Sequence, residues 1–182
     1  MKRILYRFIF FKLMGWKVEG TFDESIKKCV IIVIPHTSWH DFFIGIFFRG
    51  TFPLEINFLA KKELFKFPLG IYLKWVGGTA LNRQKTENKV DTISKIFETK
   101  DVFRLALSPE GTRKKVSELK SGYYYIAQKA NVPIIPIAFD YEHKKVIIFN
   151  TFNITNDYEK DSKYLESLFK NIKGKVPENS FN

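Results

Sequence analysis

The sequence predicts a single α/β domain built on a central, mostly parallel sheet flanked by helices, with an amphipathic helix at its N-terminus. Three observations carry this reading. Short runs rich in Val, Ile and Phe alternate along the chain with segments of helical periodicity, the pattern of strand–helix–strand units. The run "CVIIVI" at 29–34 is apolar throughout, as a buried strand is. Finally, 182 residues without an internal repeat, low-complexity tract or linker suit one domain with a sizeable core. The expected boundaries are 1–16 for the N-terminal helix and 17–182 for the domain.

Each element has its own warrant. In "MKRILYRFIFFKLMGW", Arg3 and Arg7 lie one helical turn apart, and Ile4, Leu5, Phe8, Ile9 and Phe11 supply apolar bulk. This reads as an interfacial helix lying on a membrane, although Lys12 breaks a clean two-faced wheel. The plain alternative is a helix that caps the core and leaves its arginines in solvent. No small-residue cleavage site of a signal peptide follows it. Strands are expected at 17–22, 29–34, 56–60, 78–82, 103–107, 133–139 and 145–150, each bounded by Gly, Pro or polar residues. Ser38 offers a helix start for 38–49. Residues 87–99 place Val90, Ile93, Ile96 and Phe97 on one face, and 158–173 do the same with Leu165, Leu168, Phe169 and Ile172. "DYEHKK" at 140–145 has the composition of a hairpin turn, which adds an antiparallel edge.

Composition narrows the function classes. A chain that is 45% hydrophobic and 16% aromatic is not disordered. Its 19 phenylalanines call for a large apolar interior or an apolar surface. A net charge of +11 favours anionic partners: phospholipid head groups, nucleic acid or phosphorylated ligands. No zinc-finger, RNP-type or helix-turn-helix signal supports nucleic acid. No run reaches the roughly 18 apolar residues of a spanning helix. The single cysteine, Cys29, has no disulfide partner and lies in an apolar run, which fits a buried thiol and a reducing compartment.

The chemistry concentrates in "IIVIPHTSWHDFFIG", residues 31–45, where His36, His40 and Asp41 follow a strand stopped by Pro35. Open α/β sheets bind ligands at such strand ends. On a continuous helix a five-residue separation turns about 500°, which leaves His36 and Asp41 roughly 140° apart. They meet only if His36 precedes the helix and Asp41 lies in its first turn, the arrangement a Ser38 start would give. A carboxylate beside an imidazole fixes its tautomer and stabilises the imidazolium, so that the other ring nitrogen accepts a proton from a hydroxyl. Two other readings stand beside this base. One is a capped helix with incidental histidines. The other is a metal site using the i, i+4 pair His36 and His40, although the glutamate of HExxH is missing and only His143 remains as a further imidazole.

Two further segments resemble the first in kind. In "LALSPEGTRKK", Pro109 and Gly111 make a turn with free backbone N–H groups, and Arg113 carries a planar fork suited to phosphate. Glu110 is an acceptor there, able to hold the loop or a ligand hydroxyl. A surface turn with solvated charges is the plain alternative. In "VGGTALNRQ", two glycines lead into a short strand that delivers Arg83.

Together these segments resemble the glycerolipid acyltransferases, the group typified by 1-acylglycerol-3-phosphate acyltransferase. The blocks are H-x4-D at His36 to Asp41 in "HTSWHD", then "AKKELFKFPLG", "GGTALNR", "PEGTR" at 109–113, and "KSG" followed by "VPIIPIAF". They occur in the family's order over roughly residues 30 to 140. The chain departs from the common pattern at Pro35, Asn82 and Ser108, where the family often has Asn, Asp and Phe.

The resemblance implies an acyltransferase with His36 as general base and Asp41 as its orienting partner. It implies acceptor binding by Lys61, Arg83, Glu110, Gly111, Thr112 and Arg113, with no metal. It also implies no bound cofactor, since the acyl donor is a co-substrate: an acyl-carrier-protein or coenzyme A thioester. The expected acceptor is a lysoglycerolipid, foremost 1-acyl-sn-glycerol-3-phosphate, in phospholipid biosynthesis. Alternatives are another lysophospholipid or amino-acid lipid as acceptor, or a catalytically silent lipid-binding member of the fold. The segment "DFFIGIFF" is expected to line an acyl tunnel or, more plainly, to pack the core. The expected location is cytoplasmic, peripheral on the inner face of the cell membrane, against an anionic surface and without a nucleic-acid partner.

Overall fold

A computed structural model describes residues 2–81 and 88–181. Seven strands form one sheet: β1 (Lys17–Glu19), β2 (Lys28–Ile34), β3 (Asn57–Lys61), β4 (Gly78–Leu81), β5 (Phe103–Leu107), β6 (Ile134–Asp140) and β7 (Lys145–Ile148). Among the described residues six α-helices accompany them: α1 (Lys2–Arg7), α2 (His40–Gly50), α3 (Leu69–Trp75), α4 (Lys89–Thr99), α5 (Gly122–Ala130) and α6 (Tyr158–Ser167). The strand order is β1-β7-β6-β2-β5-β3-β4. Among the described strand pairs only β6–β7 is antiparallel, and the "DYEHKK" segment turns between those two strands.

The apolar run 29–34 becomes the middle strand because both of its faces are covered. Val30, Ile32 and Ile34 point into a core shared with Phe97 of α4, Tyr123 of α5 and Leu165 of α6. Cys29 and Ile31 point the other way, against Phe10 near the N-terminus and Ile44 and Phe48 of α2. The sheet therefore lies between two helical layers. Burial pushes the Cys29 thiol up to about 12, so it stays protonated and inert.

The N-terminal segment is helical, with a π-type turn at Phe8–Leu13 following α1. Phe10 is its buried anchor, whereas Ile4, Leu5, Phe8 and Leu13 are all more than half exposed. Gly50 lets α1 approach the end of α2, since a Cβ there would overlap the Tyr6 ring. Among the described residues no helix is long and apolar enough to cross a membrane.

Two elements are shorter than their periodicity suggests. β1 stops at Glu19 because Gly20 takes φ +84° and its backbone closes on Ile148. α6 ends at Ser167 and the chain turns through Asn171 at φ 66°. Phe169 stays fully buried in that turn, so the apolar stripe outlasts the helix.

The topology fixes where a site forms. β2 runs parallel to β5 and β6, and β3 parallel to β5, so all four strands end on one edge of the sheet. The chain leaving that edge carries His36 after β2, the 108–121 loop after β5, and Tyr141 after β6.

Candidate active site

Pro35 ends β2, and the next residues turn before α2 begins at His40. His36 thus precedes the helix and Asp41 sits in its first turn. His36 Nδ1 lies 3.0 Å from Asp41 Oδ2. The helix start differs from a simple serine cap. The Asp41 carboxylate reaches back to accept the Ser38 N–H at 2.9 Å, while the Ser38 hydroxyl meets His40 Nδ1, also at 2.9 Å. His40 also packs against the Trp39 ring, 4.0 Å between centroids. Because His36 is outside the helix, the two histidines do not share a helix face, and the i, i+4 argument for a metal pair lapses.

Asp41 is 4% exposed and fully occupied. Its Oδ1 accepts the Tyr141 hydroxyl at 2.6 Å. Burial and this carboxylate both push the Tyr141 phenol upward, so it remains a donor. Trp16 braces Tyr141 edge-on at 4.9 Å. The C-terminal segment straps the same corner: Lys173 O accepts the Tyr141 N–H, and Thr37 Oγ1 accepts the Val176 N–H. With Nδ1 turned to Asp41, the nitrogen of His36 left for a substrate is Nε2.

The loop after β5 is tied to the same place by Glu110. Its Oε2 accepts the His36 N–H at 2.7 Å and the Ser108 hydroxyl at 3.1 Å. Glu110 is 1% exposed, and burial raises its carboxyl above the usual carboxylate range. Of the two roles open to it from sequence, these contacts are those of holding the loop. Gly111 takes φ +65° close to Lys120, the conformation that lets the turn close. Thr112 is half-buried and Arg113 exposed on the loop that follows. Lys61 is the last residue of β3, on the same sheet edge. Arg83 lies outside the described residues.

A cavity of about 250 Å³ opens beside this dyad and runs beneath α2. His36 and Asp41 line one part; Phe42, Gly45, Ile46 and Phe48 form the α2 side, with Ile31, Val33, Ile137 and Phe139 on the sheet side. Arg49 also lines it. Eight residues on from Asp41, it stands about 12 Å along the helix at 1.5 Å per residue. Thus "DFFIGIFF" contributes both cavity lining and core. Tyr141 and Arg49 escaped the sequence reading. Tyr141 is distant in sequence, and only the pairing of β6 with β2 brings it near His36.

Residues 17–140 match the family described as Acyltransferase. The chain belongs to that family. Among relatives of this chain, 1-acyl-sn-glycerol-3-phosphate acyltransferase of Bacillus subtilis is 29% identical over 129 residues, 69% of this chain and 62% of that protein. The protein of the same name from Haemophilus influenzae is 32% identical over 145 residues, 75% of this chain and 59% of its own length. Human 1-acyl-sn-glycerol-3-phosphate acyltransferase beta is 31% identical over 122 residues, 64% of this chain and 42% of that one. The match thus spans about three fifths of the length of those bacterial relatives. The crystal structure of the 1-acyl-sn-glycerophosphate (LPA) acyltransferase PlsC from Thermotoga maritima superposes with a TM-score of 0.61 at 22% identity, covering 91% of this chain and 74% of that one. That likeness shows a shared fold.

Proposed function

We propose that this acyltransferase moves a fatty acyl group from a thioester to the free hydroxyl of a lysoglycerolipid, with 1-acyl-sn-glycerol-3-phosphate as the acceptor. The observation that carries the reading is a buried, triply hydrogen-bonded Asp41 holding His36 at an apolar cavity. His36 Nε2 takes the acceptor's hydroxyl proton as the oxygen attacks the thioester carbonyl. The tetrahedral adduct collapses, the C–S bond breaks, and the departing thiolate regains the proton from His36. Asp41 stabilises the transient imidazolium, and Tyr141 holds Asp41. No acyl-enzyme forms.

The cavity takes the acyl chain, whose burial is favourable by about 0.8 kcal/mol per methylene. Gly111, Thr112 and Arg113 hold the acceptor's phosphate and glycerol end, with Arg83 and Lys61 adding positive charge. The donor is an acyl-carrier-protein or coenzyme A thioester. The chain works at an anionic bilayer surface on the cytoplasmic face, docked through α1 and the turn after it, where exposed Ile4, Leu5 and Phe8 lie among basic residues.

The test is an acceptor panel with a single acyl donor: lysophosphatidate, other lysophospholipids and a lysolipid on an amino acid. The reading expects the highest kcat/KM with lysophosphatidate, and one diacyl product per thiol released. Preference for an acceptor without a phosphate monoester contradicts the assignment.

A further inference from the structure

A second cavity, of about 270 Å³, lies between α1, the end of α2 and α3. The catalytic account makes no use of it. Three cations line it: Lys2 and Arg3 from α1 and Arg49 from α2. Among the described residues no carboxylate lines it. Arg3 is fixed by its Nε, which donates to Thr51 O at 3.0 Å and so does not occupy its two terminal nitrogens. Lys2 Nζ sits 5.2 Å over the Trp75 ring, itself part of the lining. The Arg49 Nε is buried with no hydrogen-bond partner. Burial lowers its affinity for the proton, and Glu55, whose charge partly offsets that shift, is exposed and outside the lining.

Three cations gathered at a lining without a carboxylate repel one another, and a buried guanidinium with an idle donor is costly. One tetrahedral anion satisfies both, since phosphate oxygens accept from forked guanidinium donors. The surroundings say what carries the anion. Ile4 and Leu5 on α1, Phe8 just after it, and Phe67, Ile71 and Trp75 at α3, on the two elements that bound the cavity, are all exposed. A ligand with an anionic head and apolar tails suits that combination better than a free ion.

We infer that this cavity is a binding site for the phosphate of an anionic membrane lipid, seated by Arg3, Arg49 and Lys2. The inference rests on the proposed docking at a bilayer and deepens it. Docking then involves a defined headgroup pocket and a second apolar element, α3, beside α1. The bound phosphate also ties α1 to α2, the helix that carries Asp41.

The probe is dihexanoyl phosphatidylglycerol below its micelle threshold, an anionic lipid that is neither donor nor acceptor in the proposed reaction. Trp75 fluorescence of the full chain reports occupancy, with Trp75→Phe marking the signal that belongs to this residue. The inference expects a saturable change that is absent in Trp75→Phe. Its midpoint should rise at least tenfold in Arg3→Gln and in Arg49→Gln. The charge-matched control Lys170→Gln, which removes one exposed lysine elsewhere, should leave the midpoint alone. Inorganic phosphate should need at least tenfold more ligand. Circular dichroism checks folding; if Arg49→Gln does not fold, Arg3→Gln alone decides. The site is refuted if the lipid leaves Trp75 unchanged or if the lysine control weakens binding as much as the arginine variants. It is likewise refuted if inorganic phosphate saturates as readily as the lipid. Vesicle binding and acyl transfer on the same preparation report separately on the docking and enzymatic readings.

Discussion

Substituting Gly45 by leucine tests the cavity beneath α2 as the acyl site. Gly45 lines that cavity, and a Cβ built there meets only Phe139 Cζ, at 3.9 Å, an ordinary contact. Leucine therefore enters space rather than protein, and removing an internal helical glycine offsets strain by about 0.5–1 kcal/mol. Its four side-chain carbons displace about as many methylenes of a bound chain. At roughly 0.8 kcal/mol per methylene the loss is about 3 kcal/mol, on the order of 100-fold in kcat/KM. The dyad is not touched, so the loss should depend on chain length. The assay is kcat/KM for Gly45→Leu and wild type over a series of acyl thioesters of increasing length. Short donors should stay within a few-fold of wild type, and long donors should fall by about 100-fold. If a folded Gly45→Leu shows wild-type rates with every donor, the chain lies elsewhere. A uniform loss at all lengths would mean that the substitution disturbed the catalytic groups, and would equally refute the reasoning.

Two further outcomes follow from the geometry. Tyr141→Phe removes one hydrogen bond to a buried carboxylate, an interaction worth about 1.5–3 kcal/mol; kcat should drop on the order of tenfold or more with both KM values nearly unchanged, and a change confined to KM would place Tyr141 in substrate binding instead. Glu110 has a carboxyl raised above its ordinary value of 4.5 by burial, so folding takes up protons there. Its charged form costs stability, and that cost appears as pH rises from about 4.5 through the raised value. Gln keeps an acceptor for the His36 N–H and the Ser108 hydroxyl. Thermal melts should therefore show Glu110→Gln gaining on wild type as pH rises from 4 to 8, and a difference that shrinks over that range contradicts the burial argument.

Much of the fold was legible because strand burial writes itself into composition. The run at 29–34 has apolar residues on both faces, which only a central strand needs, and "DYEHKK" turns where its composition said it would. The proximity of His36 and Asp41 was legible for a local reason, since proline and a helix start within six residues leave few other geometries. What stayed hidden depends on strand order. Tyr141 reaches Asp41 because β6 pairs with β2, and Glu110 reaches His36 because β5 pairs with β2 on its other side. Neither adjacency leaves a short-range signal. Arg49 was unreadable for a similar reason: it sits in an apolar helix, and only the packing of α1 and α3 shows that its charge is gathered with others. The end of α6 was misjudged because a buried turn can keep the apolar spacing of a helix, as Leu168 and Phe169 do.

The central claim is that His36 is the base. Its most direct measurement is acceptor-dependent thiol release from an acyl thioester by wild type, His36→Ala and His40→Ala, each checked for folding. The account predicts that release requires the lysolipid and that His36→Ala lowers turnover by about 10² to 10⁴. His40→Ala, whose ring faces Ser38 and Trp39, should cost far less. A folded His36→Ala that turns over at the wild-type rate, or a His40→Ala that is the more damaged of the two, would contradict it.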